Sequence, residues 1–265
     1  MHRFFNRTLI NTIALASIVA NSYAAEDVSD KPQCQVGDVQ CVHHVVQEMS
    51  QRFHKLEQSC DHDAIFALVY LRTTETYEAT GETIGYEDPS SVNREDALFA
   101  DYYFRAYDAY HTGSGALPPA WQIAFAASDL KLLTAQGNAL LGINAHIQRD
   151  LPFVLYDLYE RGYPVSEYDH FKVNEFLAQV QVSSEIIESF DPSYPAGDDA
   201  SGIIFWRTLA WQNYLALRDA PTAEARAAVA LGIEQYAAAY AQQFVALTAY
   251  PPGQDSSARD EYCAR

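Results

Sequence analysis

Residues 39–58 read VQCVHHVVQEMSQRFHKLEQ. Val39, Val42, Val46, Met49, Phe53 and Leu56 recur there at steps of three and four, which draws one apolar stripe along a helix from about 38 to 59. The same period continues outward. Asp61 caps a second helix through Ile65, Leu68, Val69 and Tyr77 that stops by Gly81, and 82–91 reads as a loop. Ser91 or Asn93 opens a third helix carrying Leu98, Phe99, Tyr102, Tyr103 and Tyr107, and Pro118-Pro119 begins another. From Trp121 to Tyr159 the chain is apolar and helical, with a break or kink expected near Gly137, Gly142 and Pro152. Further helices are predicted over 168–189, 202–218 and 222–248, followed by an irregular end after Pro251-Pro252. No period-two alternation, repeat or long linker interrupts this pattern. The expectation is one all-α domain, a bundle of about seven or eight helices over residues 25–265.

Residues 1–24 are set apart from that domain. His2, Arg3 and Arg7 precede an apolar stretch from Leu9 to Ala20, and Ser22-Tyr23-Ala24 supplies small residues for cleavage, the layout of a secretory signal peptide. The stretch is shorter than the roughly 20 residues a membrane span needs, so a periplasmic or secreted product with no stable membrane span is expected. With 35 acidic against 17 basic residues and a net charge of −18, the chain offers no positive field for nucleic acid. Nothing in the sequence sets an oligomeric state.

Secretion permits disulfides between Cys34, Cys41, Cys60 and Cys263. A helix over 42–58 separates Cys41 from Cys60 by about 28 Å at 1.5 Å per residue, far beyond the roughly 7 Å a bridge spans. The same distance speaks against Cys34 with Cys60. That leaves Cys34 with Cys41 and Cys60 with Cys263.

The segment Gly142-Ile143-Asn144-Ala145-His146-Ile147-Gln148-Arg149-Asp150-Leu151-Pro152 carries the candidate chemistry. His146 and Asp150 lie four apart, hence on one helix face among apolar neighbours, where a buried imidazole and carboxylate must pair or bind something jointly. His170 and Asn174 repeat the spacing beside Asp169, and two such pairs on neighbouring helices are how bundles assemble core metal sites. Glu75, Asp101 and Arg207 sit inside apolar helical runs. Arg207, flanked by Trp206 and Trp211, is placed to clamp a carboxylate, that of Asp150 or of a ligand.

Together with Phe66 to Arg72, Ala120-Trp121, Asp169 to Asn174 and Arg207 to Trp211, this motif resembles an uncharacterised bacterial all-helical family, a domain of unknown function, over roughly 60–218. The resemblance implies a shared helical fold and directs attention to His146, Asp150, Asn174 and Arg207. A weaker similarity is to the zinc-dependent phospholipase C and P1 nuclease fold, whose His-x-x-x-Asp helix pair His146 and Asp150 match. The metal-binding N-terminal Trp of those enzymes has no counterpart at Ala25.

Three functions follow as expectations, one of them a metal-free pocket in which His146 is a general base oriented by the Asp150 carboxylate and Arg207 holds an anionic or carboxylated substrate. The first is a metal-dependent hydrolase of a phosphoester or related bond, with zinc or iron held by His146, Asp150, His170, Asp169 and Glu75. In it His146, Asp150 and Arg207 are catalytic, and Asn144, Asn174 and Trp211 contact the substrate. The alternative is a non-enzymatic secreted protein that binds a small molecule in an aromatic-lined pocket, with His146, Asp150 and Arg207 as a structural network. No nucleotide, serine-hydrolase or dinucleotide motif is present.

Overall fold

The stripe beginning at Val39 becomes helix α2 (Val39–Gln58), which the Asp38 carboxylate caps by accepting from the Gln40 N–H. Its buried face is Cys41, Val42, Val45, Met49, Phe53 and Leu56, while Val39 is exposed, so the helix is turned slightly from the predicted stripe. The computed structural model describes residues 27–265, and the signal-peptide expectation for residues 1–24 lies outside them. A 3₁₀ turn (Val28–Asp30) and the short α1 (Pro32–Val36) precede α2. Asp101 accepts from the backbone N–H groups of Val28 and Ser29, which ties this entry segment to the core.

Helix α3 (Ala64–Ile84) runs past Gly81 and ends at Gly85, whose φ of 83° lets the backbone turn left-handed. Helix α4 (Pro89–Thr112) starts earlier than expected, because Pro89 takes the first helical position and Asp88 caps Ser91. Both helices lie against α2. The apolar stretch 121–159 divides into α5 (Pro119–Asp129), α6 (Ala135–Ile143), a π-helical segment (Asn144–Asp150) and α7 (Leu151–Glu160).

The break expected near Gly137, Gly142 and Pro152 does not fall at the glycines themselves, and packing explains why. A Cβ on Gly142 would lie 2.2 Å from Phe66 Cγ, and one on Gly137 would lie 2.3 Å from Thr248 Oγ1. These glycines allow α6 to approach α3 and the later helix α12 (Ala223–Thr248). The irregularity falls between Gly142 and Pro152. Leu151 N–H donates to His146 O, a five-residue step, and Pro152 follows without an N–H to return the chain to an α ladder at that position.

The predicted helix 168–189 is three pieces, α8 (Glu167–Lys172), α9 (Asn174–Leu177) and α10 (Ser183–Ser189). Asp198 divides it by accepting from the backbone N–H groups of Val182 and Ser183 at the start of α10. Helix α11 (Ser201–Arg218) and α12 match their predicted spans closely. The tail is ordered, contrary to expectation: α13 (Ser257–Cys263) is held by Cys60–Cys263, with Cα atoms 5.9 Å apart, and by Asp260, which accepts from His62 and Lys131. Cys34–Cys41 is the second bridge, so the predicted pairing is observed.

Among the described residues there is no strand, only an isolated bridge between Leu133 and Ala249. The result is an all-α domain in which seven α-helices have ten or more residues and short helices supply the rest. No described helix is long and apolar enough to cross a membrane.

Candidate functional site

The π segment delivers His146 into the centre of the bundle. Its imidazole is 3% exposed and lies face to face with Phe99, centroids 3.5 Å apart and planes 5° from parallel. Tyr70 meets the ring edge-on at 4.3 Å, and Phe66, Tyr103 and Trp121 complete an aromatic box. His146 Nδ1 is 3.2 Å from Asp150 Oδ2. A carboxylate only accepts, so Nδ1 carries the proton and Nε2 is left as a lone pair. That Nε2 is buried with no hydrogen-bond partner, as is the Tyr70 hydroxyl. Burial lowers the histidine's pKa, against the attraction of Asp150, so the ring is neutral.

Asp150 is fully buried, and three donors converge on it: Trp121 Nε1 at 2.8 Å, Arg149 Nη1 at 2.9 Å and His146 Nδ1. Arg149 also grips Glu234 of α12. Asn144 spends its amide on Ala237 O and the Gln148 side chain, so it braces the π segment against α12. A buried carboxylate with several charged or polar donors holds its neighbours in fixed orientation.

The other predicted residues form separate groups. His170 Nε2–H donates to Arg207 O, while Arg207 donates through Nη2 to His170 O and through Nε to Asn174 Oδ1. Trp211 lies tilted over His170 at 5.1 Å. Burial, then the nearby guanidinium, pushes His170 well below its ordinary pKa. Asp169 accepts from the backbone N–H groups of Glu87 and Asp88 and anchors the turn before α4. Glu75 pairs with Arg72 on the outer side of α3.

The structure therefore does not bring His146, Asp150, His170, Asp169 and Glu75 together. Among the described residues no three His, Cys, Asp or Glu side chains come together as a metal would need. This donor set does not fit a zinc or iron centre, because the carboxylates of Asp150 and Asp169 are taken by protein donors. Nor does Arg207 clamp Asp150: the adjacent Arg149 does. Asn174 and Trp211 belong to the Arg207 group and Asn144 to the π segment, so these three do not share a cleft.

A cavity of about 330 Å³ opens between α3, α6 and α11. Val69, Leu140, Ile143, Leu177, Ile203 and Trp206 line it. Asp198 and Asp199 stand at its rim, and both are occupied in capping, Asp198 at α10 and Asp199 at Ser201. The remaining lining is mainly apolar, and the volume suits a small molecule.

Sequence reasoning missed Trp121, Arg149, Tyr70 and Phe99 as partners of the pair, and it missed Glu95 and Asp96. The last two are enclosed acids of α4 whose pKa values burial raises, to about 7 and about 8. Arg149 could have been found from its place beside Asp150. The acids carried no signal, since two adjacent carboxylates on a helix ordinarily face water.

No curated protein and no solved structure matches the chain. The model of one family matches residues 42–247, which takes in the first long helix and most of α12, both outside the resemblance drawn from motifs. With its π segment, aromatic box and apolar cavity all inside that span, the chain belongs to the family of unknown function DUF5995.

Proposed function

We propose that the protein is an extracytoplasmic carrier or receptor for a small apolar molecule, held in the cavity between α3, α6 and α11. The cavity carries this reading: its volume is about 330 Å³, its walls are mainly aliphatic with Tyr194 and the Trp206 indole among them and Thr73 and Gln136 as polar contacts, and its two carboxylates are already occupied. The network of His146, Asp150, Trp121 and Arg149 ties α5 to the π segment that continues α6, one of the helices lining the cavity. Two disulfides support an oxidising compartment, periplasmic or secreted.

Titration with n-alkanols of increasing length, followed by Trp206 fluorescence and calorimetry, tests this. Saturable one-to-one binding that tightens about fourfold per methylene, from roughly 0.8 kcal/mol per buried CH₂, is expected until the cavity is full. Ile203→Trp fills the space and abolishes binding while the helical spectrum persists. Absence of saturable binding at any chain length overturns the reading.

One observation favours a second function. Asp150 orients His146 so that Nε2 presents a lone pair, the arrangement of a general base with its orienting carboxylate, and the Tyr70 hydroxyl lies unpartnered in the same box. A hydrolase of this kind needs no metal. Ester and phosphoester turnover by the wild type, lost in His146→Gln, is its test.

A further inference from the structure

Helices α11 and α12 form a hairpin over the π segment, each packed on the other and on the segment beneath, so their outer sides make one surface. Trp206 of α11 and Phe244 of α12 join them, ring centroids 5.8 Å apart. Helix α12 buries only Ile233, Ala237 and Ala241 of its 26 residues. A surface helix ordinarily carries charge on the side away from its buried residues. Here that side is apolar: Phe205 is 59%, Leu231 56% and Leu247 78% exposed, Tyr236 is exposed as well, and Gly232 and Ala239 keep the strip between them low. Exposed apolar patches of this extent mark contact surfaces.

The distribution of charge says what covers it. Residues 201–254 contain three arginines, three acids and no lysine, so they have no net charge and the −18 of the chain is carried by the rest. Arg218, Asp219, Glu224 and Arg226 gather at the end of the hairpin where the chain turns, Arg207 is buried, and Glu234 is paired with Arg149 at 2.7 Å. The outer surface beyond that turn is therefore uncharged. A basic partner would be drawn to the acidic faces, and a helix seated on a membrane surface would carry the lysines and arginines this one lacks. A second copy of the chain has the opposite requirement. In a two-fold contact each patch meets itself, so like charges oppose one another unless the patch has none. Size agrees with this. The 18 residues of α11 span about 27 Å, and two helices side by side are about 20 Å wide, an outline of roughly 540 Å². The relief of the side chains brings that toward the roughly 800 Å² each partner contributes to a stable interface.

We propose that the outer face of the α11–α12 hairpin is a dimer interface, where two copies of the chain meet about a two-fold axis through Phe205, Leu231, Tyr236 and Leu247. The interface is independent of what the cavity holds.

Sedimentation equilibrium of the full chain, from about 1 to 300 µM, tests this. A reversible monomer–dimer equilibrium in the micromolar range is expected, and it tightens with added salt, which screens the net charge of the two bodies while leaving apolar contact intact. Leu231→Glu and Tyr236→Glu each bring charge into the face and weaken the dimer at least tenfold, with the helical spectrum of the monomer unchanged. Val36→Glu, at an exposed apolar position on α1, leaves the dimer as it is. A wild type that stays monomeric throughout overturns the proposal, as does a dimer that tolerates both glutamates. Binding of the monomer to phosphatidylcholine vesicles overturns it in favour of a bilayer.

Discussion

The Trp121 indole N–H donates to Asp150 Oδ2 at 2.8 Å, which joins α5 to the π segment across 29 residues. Trp121→Phe keeps an aromatic ring in the box and leaves the carboxylate one donor short. A loss of about 1.5–3 kcal/mol is expected, the worth of a hydrogen bond to a charged group. Urea unfolding of the two proteins measures it, and an unchanged midpoint would show that the contact carries no stability.

Removing the two substituents of Asp150 together is expected to be less than additive. Trp121→Phe and Arg149→Met each weaken the hold on one carboxylate, so the double variant should deviate from the sum of the singles by more than about 0.5 kcal/mol. A double-mutant cycle in urea is the measurement, and strict additivity would mean that the donors act independently.

Asp96 gives stability an unusual pH dependence. Its folded pKa is raised to about 8, from an ordinary value of 3.8, so the native state retains a proton that the unfolded chain has released. Its contribution is therefore lost as pH rises from about 4 to 8. Asp96→Asn removes that loss, and the variant should gain on the wild type between pH 5 and pH 9 in thermal unfolding. A constant difference across that range would contradict the burial of this acid.

Three buried histidines act in the opposite sense. Burial lowers the pKa values of His62, His146 and His170, so below about pH 6.5 the unfolded chain takes up protons that the native rings resist. Their contribution to stability should fall as pH drops through that range. His146→Phe retains a ring against Phe99 and should show a shallower fall between pH 7 and pH 5, read from chemical unfolding at each pH.

Gly142→Ala puts a methyl within 2.2 Å of Phe66 Cγ. The α3–α6 crossing has to open, at about 1–3 kcal/mol, outweighing the roughly 1 kcal/mol gain in helix propensity. Thermal unfolding should show a net loss for Gly142→Ala, whereas Gly232→Ala on α12, where no atom lies near, should be neutral or stabilising.

Much of this architecture is legible in the periodicity. The spans of α2, α11 and α12 follow from apolar spacing and capping residues because local and tertiary preferences agree there. The disulfide partners follow because one rigid helix separates two of the cysteines. Spacing also identifies His146 with Asp150, since positions four apart meet on a helix with a π turn as on an α-helix. What the spacing cannot contain is the set of long-range donors. Trp121, Arg207 and His170 each find their partners across turns whose directions depend on the whole bundle. The supposed ligand set fails for the same reason: Asp169 is drawn to two backbone amides 81 and 82 residues away. The order of α13 was hidden because its stability comes from Cys60, His62 and Lys131, outside its own seven residues.

The bond between Cys60 and Cys263 closes a ring of chain with a sequence separation of 203 residues. During synthesis its two sulfurs are made 203 residues apart, so oxidative closure cannot occur before the whole segment between them has emerged. Once formed, the ring keeps any two fragments created by a single cut between those cysteines attached to one another. A nick in the loop at 191–200 would then leave the molecular weight unchanged until a reductant is added.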